Sequence, residues 1–376
     1  MPNTKGKPKH SQISAQLELE ISSGKYGAGA KLPGETQLVE KFHVSRPTVA
    51  RALRDMVEKG LIERRAGSGT YVSSNQQRLN TMRVFGLLIP GLSSTEIFQI
   101  ICGEIASLAR VNEYGLLWGG STNPRVDTDA SLKHTGEICK QFIDRKISGV
   151  FFAPAELQPG QGEANKHLAE SLREAGIPVV LLDRDLLDYP ARSDFDLVGI
   201  DNMASGYMVA EHLIKLGCRK IFFVARPFSA ATVDARIAGV REALYRNRIE
   251  PSASWIHYGD PTERKFVRRL AAGRQADGFI CANDDTAALL LRSLEAEGLR
   301  VPRDLRVVGF DDVKYATLVS PPLTTIHQPC RDIATIAFRT MMERLAEPTL
   351  PARSLSLAPR LVVRESCGAY LPRPKG

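Results

Sequence analysis

Val44-Ser45-Arg46-Pro47-Thr48-Val49-Ala50-Arg51-Ala52-Leu53-Arg54 is the stretch on which the reading of this chain turns. Val49, Leu53, Met56 and Val57 recur at helical spacing, so one stripe can pack inward while Arg46, Thr48, Arg51 and Arg54 project elsewhere. Ser45 is placed as an N-cap, and Pro47 falls in the first turn, where its missing N–H leaves no helical bond unmade. A helix starting here presents Arg46 and Thr48 at its tip. Taken alone, the stretch reads equally as an amphipathic surface helix whose arginines are simply solvated.

The flanks decide between these readings. Upstream, Ile13, Leu17 and Ile21 stand at i, i+4 and i+8, which predicts a first helix over residues 11–24 with Gly24 as its stop. Lys31-Leu32-Pro33-Gly34-Glu35-Thr36 then leads into a second helix carrying Leu38, Val39 and Phe42, and His43 and Val44 form a short turn into the basic helix. This is the helix-turn-helix order, in which the second helix of the pair enters the major groove of DNA. Downstream, Leu61-Ile62-Glu63-Arg64-Arg65 and Thr70-Tyr71-Val72 are β-prone around an Ala66-Gly67-Ser68-Gly69 turn, a hairpin or wing. Gly67 and Gly69 let backbone approach a phosphate or a minor-groove wall, and Arg64 and Arg65 flank it with charge.

Charge supports the same partner. The net charge is +8, and the first 80 residues hold 13 Lys and Arg against 7 acidic residues, so +6 of it lies there. A localised excess of this kind suits a polyanion. With 376 residues and 43% hydrophobic composition the chain can build two or three globular units, since single cores stop growing at roughly 250 to 300 residues. Six scattered cysteines with no CxxC predict reduced thiols, without a zinc site or disulfide framework. Met1 to Gln12 lacks the apolar run of a signal peptide, and no stretch approaches the roughly 20 apolar residues of a membrane span. A cytoplasmic, nucleoid-associated protein with no membrane partner is expected.

Residues 11–72, through LPGETQL, VSRPTVARAL and GLIERRAGSGTYV, resemble the winged helix-turn-helix of the GntR family of bacterial transcription regulators. The resemblance implies base or phosphate contacts from Arg46 and Thr48, and minor-groove contact from the wing at Gly67 to Thr70. With the neighbouring polar and charged positions, the expected DNA-facing set is Ser45, Arg46, Thr48, Arg51, Arg54, Arg64, Arg65, Gly67, Ser68, Gly69 and Thr70. The chain departs from many members at Thr36 and Ala50, where they carry arginine. A bidentate Arg on guanine supplies discrimination of ~1–3 kcal/mol, so these departures leave the operator sequence unread.

Residues 73–82 are polar, without an apolar period, and read as a linker. From Arg83 onward apolar runs alternate with helical segments. The first series is 83–89, 115–118, 149–152, 178–182 and 197–200, and the second is 220–224, 255–258, 278–281 and 306–309. Two such series predict two doubly wound parallel sheets with a ligand cleft between them. At the strand ends stand Asp183-Arg184-Asp185, Asp201-Asn202, Asn283-Asp284-Asp285 and Asp311-Asp312, with Arg236 between, groups that sort sugar hydroxyls. Asp185, Asp285 and Asp312 are read as helix N-caps, and Arg236, Asp284 and Asp311 as ligand contacts.

Residues 83–367 resemble the effector domain of the LacI/GalR family, itself similar to periplasmic sugar-binding proteins. The matching pieces include IPVVLLDRD, DARIAGVREAL, DGFICANDD, VVGFDD and TTIHQP. The resemblance implies an α/β fold with a two-lobed periplasmic-binding-protein-like domain behind the winged helix-turn-helix. It places effector contacts at Arg236, Asn283, Asp284 and Asp311, and near Ser94 and Phe98. Gln328, close to the hinge, is a further candidate, and Asp201 caps its helix. The LacI-type headpiece and hinge helix are replaced, a composite design similar to that of arabinose repressors.

The boundaries expected are 1–72 for DNA binding, 73–82 for the linker and 83–376 for effector binding and dimerisation. The expected protein is a homodimeric repressor whose hold on double-stranded operator DNA is set by a small sugar-like effector. An enzyme is the rival class, with Asp284 and Asp311 as an acid–base pair. Against it, the chain has no G-x-S-x-G elbow, P-loop or HExxH, and its seven histidines form no ligand-spaced pair, so no catalytic residue, metal or cofactor is expected. A third possibility is an architectural DNA binder whose large domain only oligomerises.

Overall fold

The computed structural model describes residues 9–22, 25–27, 29–58, 61–65, 68–73, 83–89, 96–119 and 128–371. Gly67, Ser94 and the expected linker beyond Ser73 lie outside them. The chain divides into two compact units, Met1–Arg83 and Val84–Gly376.

In the small unit, α1 (Lys9–Ser22), α2 (Glu35–Phe42) and α3 (Arg46–Glu58) precede a hairpin of β1 (Ile62–Arg65) and β2 (Gly69–Val72). The apolar stripes close on one another: Ile13, Leu17, Leu38, Val49, Leu53 and Met56 form one core with Leu32, Ile62 and Val72. Val57, expected in that stripe, is instead 37% exposed, one position past the inward face. Polar contacts lock the helices together: Ser14 Oγ donates to Ala52 O at 3.2 Å, and Lys41 Nζ reaches Glu20 at 2.6 Å. The turn between α2 and α3 is made by His43, which caps α2 in the left-handed conformation at φ 50°.

The large unit contains two six-stranded sheets. Lobe 1 is built from β3 (Val84–Leu88), α4 (Glu96–Val111), β4 (Gly115–Gly119), α5 (Thr128–Asp144), β5 (Gly149–Phe152), α6 (Gln161–Glu174), β6 (Val179–Leu182) and β7 (Asp196–Ile200). Lobe 2 follows with α7 (Asn202–Lys215), β8 (Ile221–Ala225), α8 (Ala231–Arg246), β9 (Ile256–Tyr258), α9 (Arg264–Ala271), β10 (Gly278–Cys281), α10 (Asp284–Ala296), β11 (Arg306–Asp311), α11 (Tyr315–Leu318) and β12 (Thr324–His327).

The chain then returns to lobe 1 as α12 (Cys330–Ala346) and β13 (Ser354–Leu357), and ends in lobe 2 with β14 (Arg360–Val362). The sheet orders are β13-β7-β6-β5-β3-β4 and β14-β12-β11-β10-β8-β9, parallel except for β14, which runs antiparallel to β12. Three segments therefore cross between the lobes, at residues 200–202, 328–330 and 357–360. The return is anchored by packing: Phe338 of α12 meets Phe85 edge-on at 5.8 Å, and Phe85 stacks on Tyr114 at 4.2 Å.

Helices α7 and α8 cross at backbone contact. A Cβ on Gly206 would stand 1.9 Å from Arg236 O, and one on Gly239 would stand 1.9 Å from Met203 O. Only residues without a side chain permit that approach, and it carries Arg236 to the crossing segment at Asn202. Gly206→Ala should therefore destabilise the large unit by about 2–3 kcal/mol through overpacking, read as a lower urea midpoint. Gly103→Ala on α4, where a Cβ meets nothing within 4 Å, should be neutral or slightly stabilising.

Candidate DNA-binding face and effector cleft

On the small unit, Ser45, Arg46, Arg51 and Arg54 are exposed along α3, with Thr48 half-buried beside them. Ser45 O accepts the first helical bonds, from the N–H groups of Thr48 at 3.0 Å and Val49 at 3.2 Å. Its hydroxyl lies 2.8 Å from the Thr48 hydroxyl. Glu35, which the sequence reading placed only in a loop leading to a helix, joins the two expected contact surfaces. Its carboxylate lies 3.5 Å from Arg46 Nε and accepts from Arg64 Nη2 at 3.0 Å. On the wing, Arg65 lies over the Tyr71 ring at 4.5 Å, and Ser68 Oγ stands 2.7 Å from the Tyr71 hydroxyl. Gly69 has φ 128°, and a Cβ there would meet Lys31 Cε at 2.7 Å, so this turn position requires glycine.

The second site forms where both sheets present their C-terminal strand ends. Arg236 is 4% exposed. Its Nε donates to Asn202 Oδ1 at 2.8 Å, its Nη1 to Ala282 O at 2.5 Å, its Nη2 stands 3.9 Å from Asp311 Oδ1, and its guanidinium covers the Phe310 ring at 4.5 Å. Gln328 Nε2 donates to Asp311 Oδ1 at 2.8 Å. From lobe 1, Arg184 lies over the Phe98 ring at 5.2 Å, donates from Nε to Asp183 Oδ2 at 3.1 Å, and pairs through Nη1 with Glu156 Oε1 at 2.5 Å. Asp183 Oδ1 and Gln328 Oε1 are buried without a donor from the protein. Asp183 and Asp311 both take left-handed backbone, φ 69° and 116°, a strain that clusters at ligand sites.

The lobes face each other electrostatically. Burial pushes the Asp311 carboxyl up to about 7; Arg236 and Gln328 pull it down, while Asp183 and Glu156 from lobe 1 push it further up.

The sequence-expected contacts do not all reach this surface. Phe98, Arg236, Asp311 and Gln328 converge on it. Asp284 lies beneath it: wholly buried, it accepts from Thr325 Oγ1 at 2.6 Å and from Val313 N–H at 3.1 Å, both within lobe 2. Asn283 caps α10 by accepting from Thr286 N–H at 2.8 Å. Asp201 caps α7 through Ala204 N–H at 2.8 Å.

The expectation that Asp185, Asp285 and Asp312 are N-caps is corrected. Asp185 ties its loop together through Leu187 and Ser193 N–H, because no helix follows β6 directly. Asp285 already lies inside the first turn of α10, and Asp312 holds Arg364 at 2.6 Å and His327 at 2.9 Å. The sequence reading left Arg184, Asp183 and Glu156 without an assigned contact. The Asp-Arg pair ending β6 was the available signal; Glu156 gave none.

Among the described residues no group of three or more His, Cys, Asp and Glu is arranged to hold a metal, and no helix is long and apolar enough to cross a membrane.

A carboxyl raised by folding binds more protons in the native state than in the unfolded one, so its contribution to stability is full below its ordinary value near 3.8 and is lost as pH rises to about 7. Asp311→Asn should therefore flatten the fall in stability of the large unit between pH 4 and 7, measured by urea unfolding across that range.

A family model described as bacterial regulatory proteins, gntR family, matches residues 9–72, and one described as a periplasmic binding protein-like domain matches residues 210–367. Over 371 residues the chain is 27% identical to the arabinose metabolism transcriptional repressor of Geobacillus stearothermophilus, covering 96% of this chain and 97% of that protein. Two solved structures share the fold. One is the transcriptional regulator CelR in complex with cellobiose, with TM-score 0.63, 23% identity, and 86% and 91% of the two chains covered. The other is the lac repressor dimer bound to operator and the anti-inducer ONPF, with TM-score 0.61, 22% identity, and 79% and 99% covered. The chain is a DNA-binding transcription regulator with an effector domain, its N-terminal part similar to the gntR family of bacterial regulatory proteins and its C-terminal part to periplasmic binding protein-like domains.

Proposed function

We propose that the protein is a cytoplasmic repressor that grips a pseudo-palindromic operator as a homodimer and releases it when a small sugar or sugar derivative closes the cleft of its large domain. The observation that carries the sugar reading is the pair of buried acceptors without donors, Asp183 Oδ1 and Gln328 Oε1, beside two buried arginines. A buried acceptor left unpaired is unfavourable, and a ligand hydroxyl supplies the missing donor. The guanidiniums of Arg184 and Arg236 donate to ring or hydroxyl oxygens, and Phe98 and Phe310 give them flat apolar backing. In this reading the cleft carries out no covalent step. A relative that is an arabinose metabolism repressor and a structural neighbour in complex with cellobiose favour the same ligand class.

At the other end, Arg46, Thr48, Arg51 and Arg54 face the major groove, and the wing from Arg64 to Thr70 faces the backbone and minor groove. One such unit reads a half-site, so two-fold symmetry of the protein matches two half-sites. Ligand closing the cleft selects one arrangement of the lobes and thereby changes the freedom of the paired DNA-binding units.

Two variants separate the functions. Arg46→Ala should weaken operator binding by about 5- to 150-fold, as loss of ~1–3 kcal/mol implies, and leave sugar-induced thermal stabilisation intact. Asp183→Asn should weaken the sugar by ~1.5–3 kcal/mol, the range for hydrogen bonds to charged groups, and leave DNA binding without sugar unchanged. The sugar is found by thermal shift across L-arabinose, D-ribose, D-xylose and cellobiose, since a ligand at 100 times its Kd stabilises the native state by about 2.7 kcal/mol. The operator is found by sequencing genomic fragments retained by the protein. Turnover of any of these sugars would contradict the regulator reading of the cleft.

A further inference from the structure

The rim of the cleft carries contacts that the binding floor does not need. Leu157 N–H of lobe 1 donates to Phe228 O of lobe 2 at 2.6 Å, and Gln161 Nε2 donates to the same carbonyl at 2.9 Å. In the opposite chain direction, Ala230 N–H of lobe 2 donates to Glu156 Oε2 at 3.2 Å. The Gln161 amide is oriented for its role because its Oε1 accepts from Gln158 N–H at 2.8 Å. Leu157 and Phe228 both hold left-handed backbone, φ 64° and 58°. For residues with side chains that conformation persists only where the surroundings over-determine it, and here each loop holds the other. A separate rim contact, Lys314 N–H to Glu96 Oε2 at 3.1 Å, also spans the lobes.

Glu156 differs from the other rim residues in facing both ways. Its Oε1 pairs with Arg184 Nη1 at 2.5 Å, while Arg184 Nε holds Asp183 Oδ2 at 3.1 Å, leaving Asp183 Oδ1 as the open acceptor. One carboxylate thus joins the floor of lobe 1 to a backbone amide of lobe 2. We propose that Glu156 is the positioning residue that couples occupancy of the cleft to closure of the lobes. A ligand hydroxyl on Asp183 settles the Asp183–Arg184 pair, Arg184 fixes the Glu156 carboxylate, and that carboxylate holds Ala230 and with it the 228–230 loop. The proposal rests on reading the cleft as the effector site, but the latch itself is measurable without any sugar.

Hydrogen–deuterium exchange of the full chain, with no ligand added, reads the latch at its own amides. Glu156→Ala should speed exchange about tenfold in peptides from both sides, residues 154–161 and 226–233, because loops that close as one unit open as one unit. Glu156→Gln, which keeps an oxygen acceptor for Ala230 N–H and loses the ion pair with Arg184, should speed the same two segments to a smaller extent and decides the question if Glu156→Ala fails to fold. Faster exchange in 154–161 with 226–233 unchanged would overturn the latch, leaving Glu156 a local loop residue.

A second arm adds L-arabinose, D-ribose, D-xylose or cellobiose. Any of them that binds should lose at least tenfold in its effect on operator affinity with Glu156→Gln, which keeps the acceptor and removes the charge. A full effect in that variant would overturn the coupling role. If none of the sugars binds the unaltered protein, the effector reading fails while the exchange result still decides the latch.

Discussion

A guanidinium taken out of water is tolerable only where its charge and N–H groups find partners, and Arg236 has two hydrogen-bonded acceptors, a carboxylate and an aromatic face. Asn202 stands at the first crossing between the lobes, Ala282 and Asp311 at the ends of neighbouring strands of lobe 2, and Phe310 beneath. The approach of α7 to α8 at Gly206 and Gly239 delivers Arg236 to this place. Asp311 in turn receives Gln328, on the second crossing segment. Two of the three crossings are therefore hydrogen-bonded to one buried ionic group, and whatever changes that group's partners acts on the segments about which the lobes can move.

The same economy of position appears on lobe 1. Asp183 and Arg184 end β6, and Gly199 of the adjacent β7 leaves the room the turn needs, since a Cβ there would lie 3.0 Å from Asp183 O. The carboxylates of Asp183, Glu156 and Asp311 approach closely enough for the first two to raise the third. Interlobe hydrogen bonds hold the rim closed, while Arg184 and Arg236 stand among the carboxylates of the floor.

How much of this was legible in the sequence follows from the range of each interaction. Local periodicity located α1, α2, α3 and the wing within a few residues, because those elements are written in contiguous apolar spacing. It placed the nine strands of the two series as well. It did not show that α12 and β13 return to lobe 1, since a strand's own residues do not say which sheet it joins. The N-cap reading of Asp185, Asp285 and Asp312 failed because capping depends on where a helix begins, and Asn283 rather than Asp285 precedes α10. Asp284 looked like a ligand contact from its strand-end position, yet Gly309 leaves a hollow into which its carboxylate sinks: a Cβ there would stand 2.4 Å from Asp284 Oδ1. Glu156 was invisible because its importance is its pairing with residues 184 and 230, distant in sequence.

In the proposed regulator, the DNA-facing unit and the cleft are coupled through the state of the large domain. Coupling between binding sites is reciprocal by thermodynamic necessity. The most direct test is the affinity of the stabilising sugar, titrated calorimetrically into the full-length protein alone and then into the protein saturated with its operator. Operator DNA should weaken sugar binding by the same factor by which sugar weakens DNA binding, about 5- to 150-fold for typical couplings. An unchanged sugar affinity on the operator complex would contradict it.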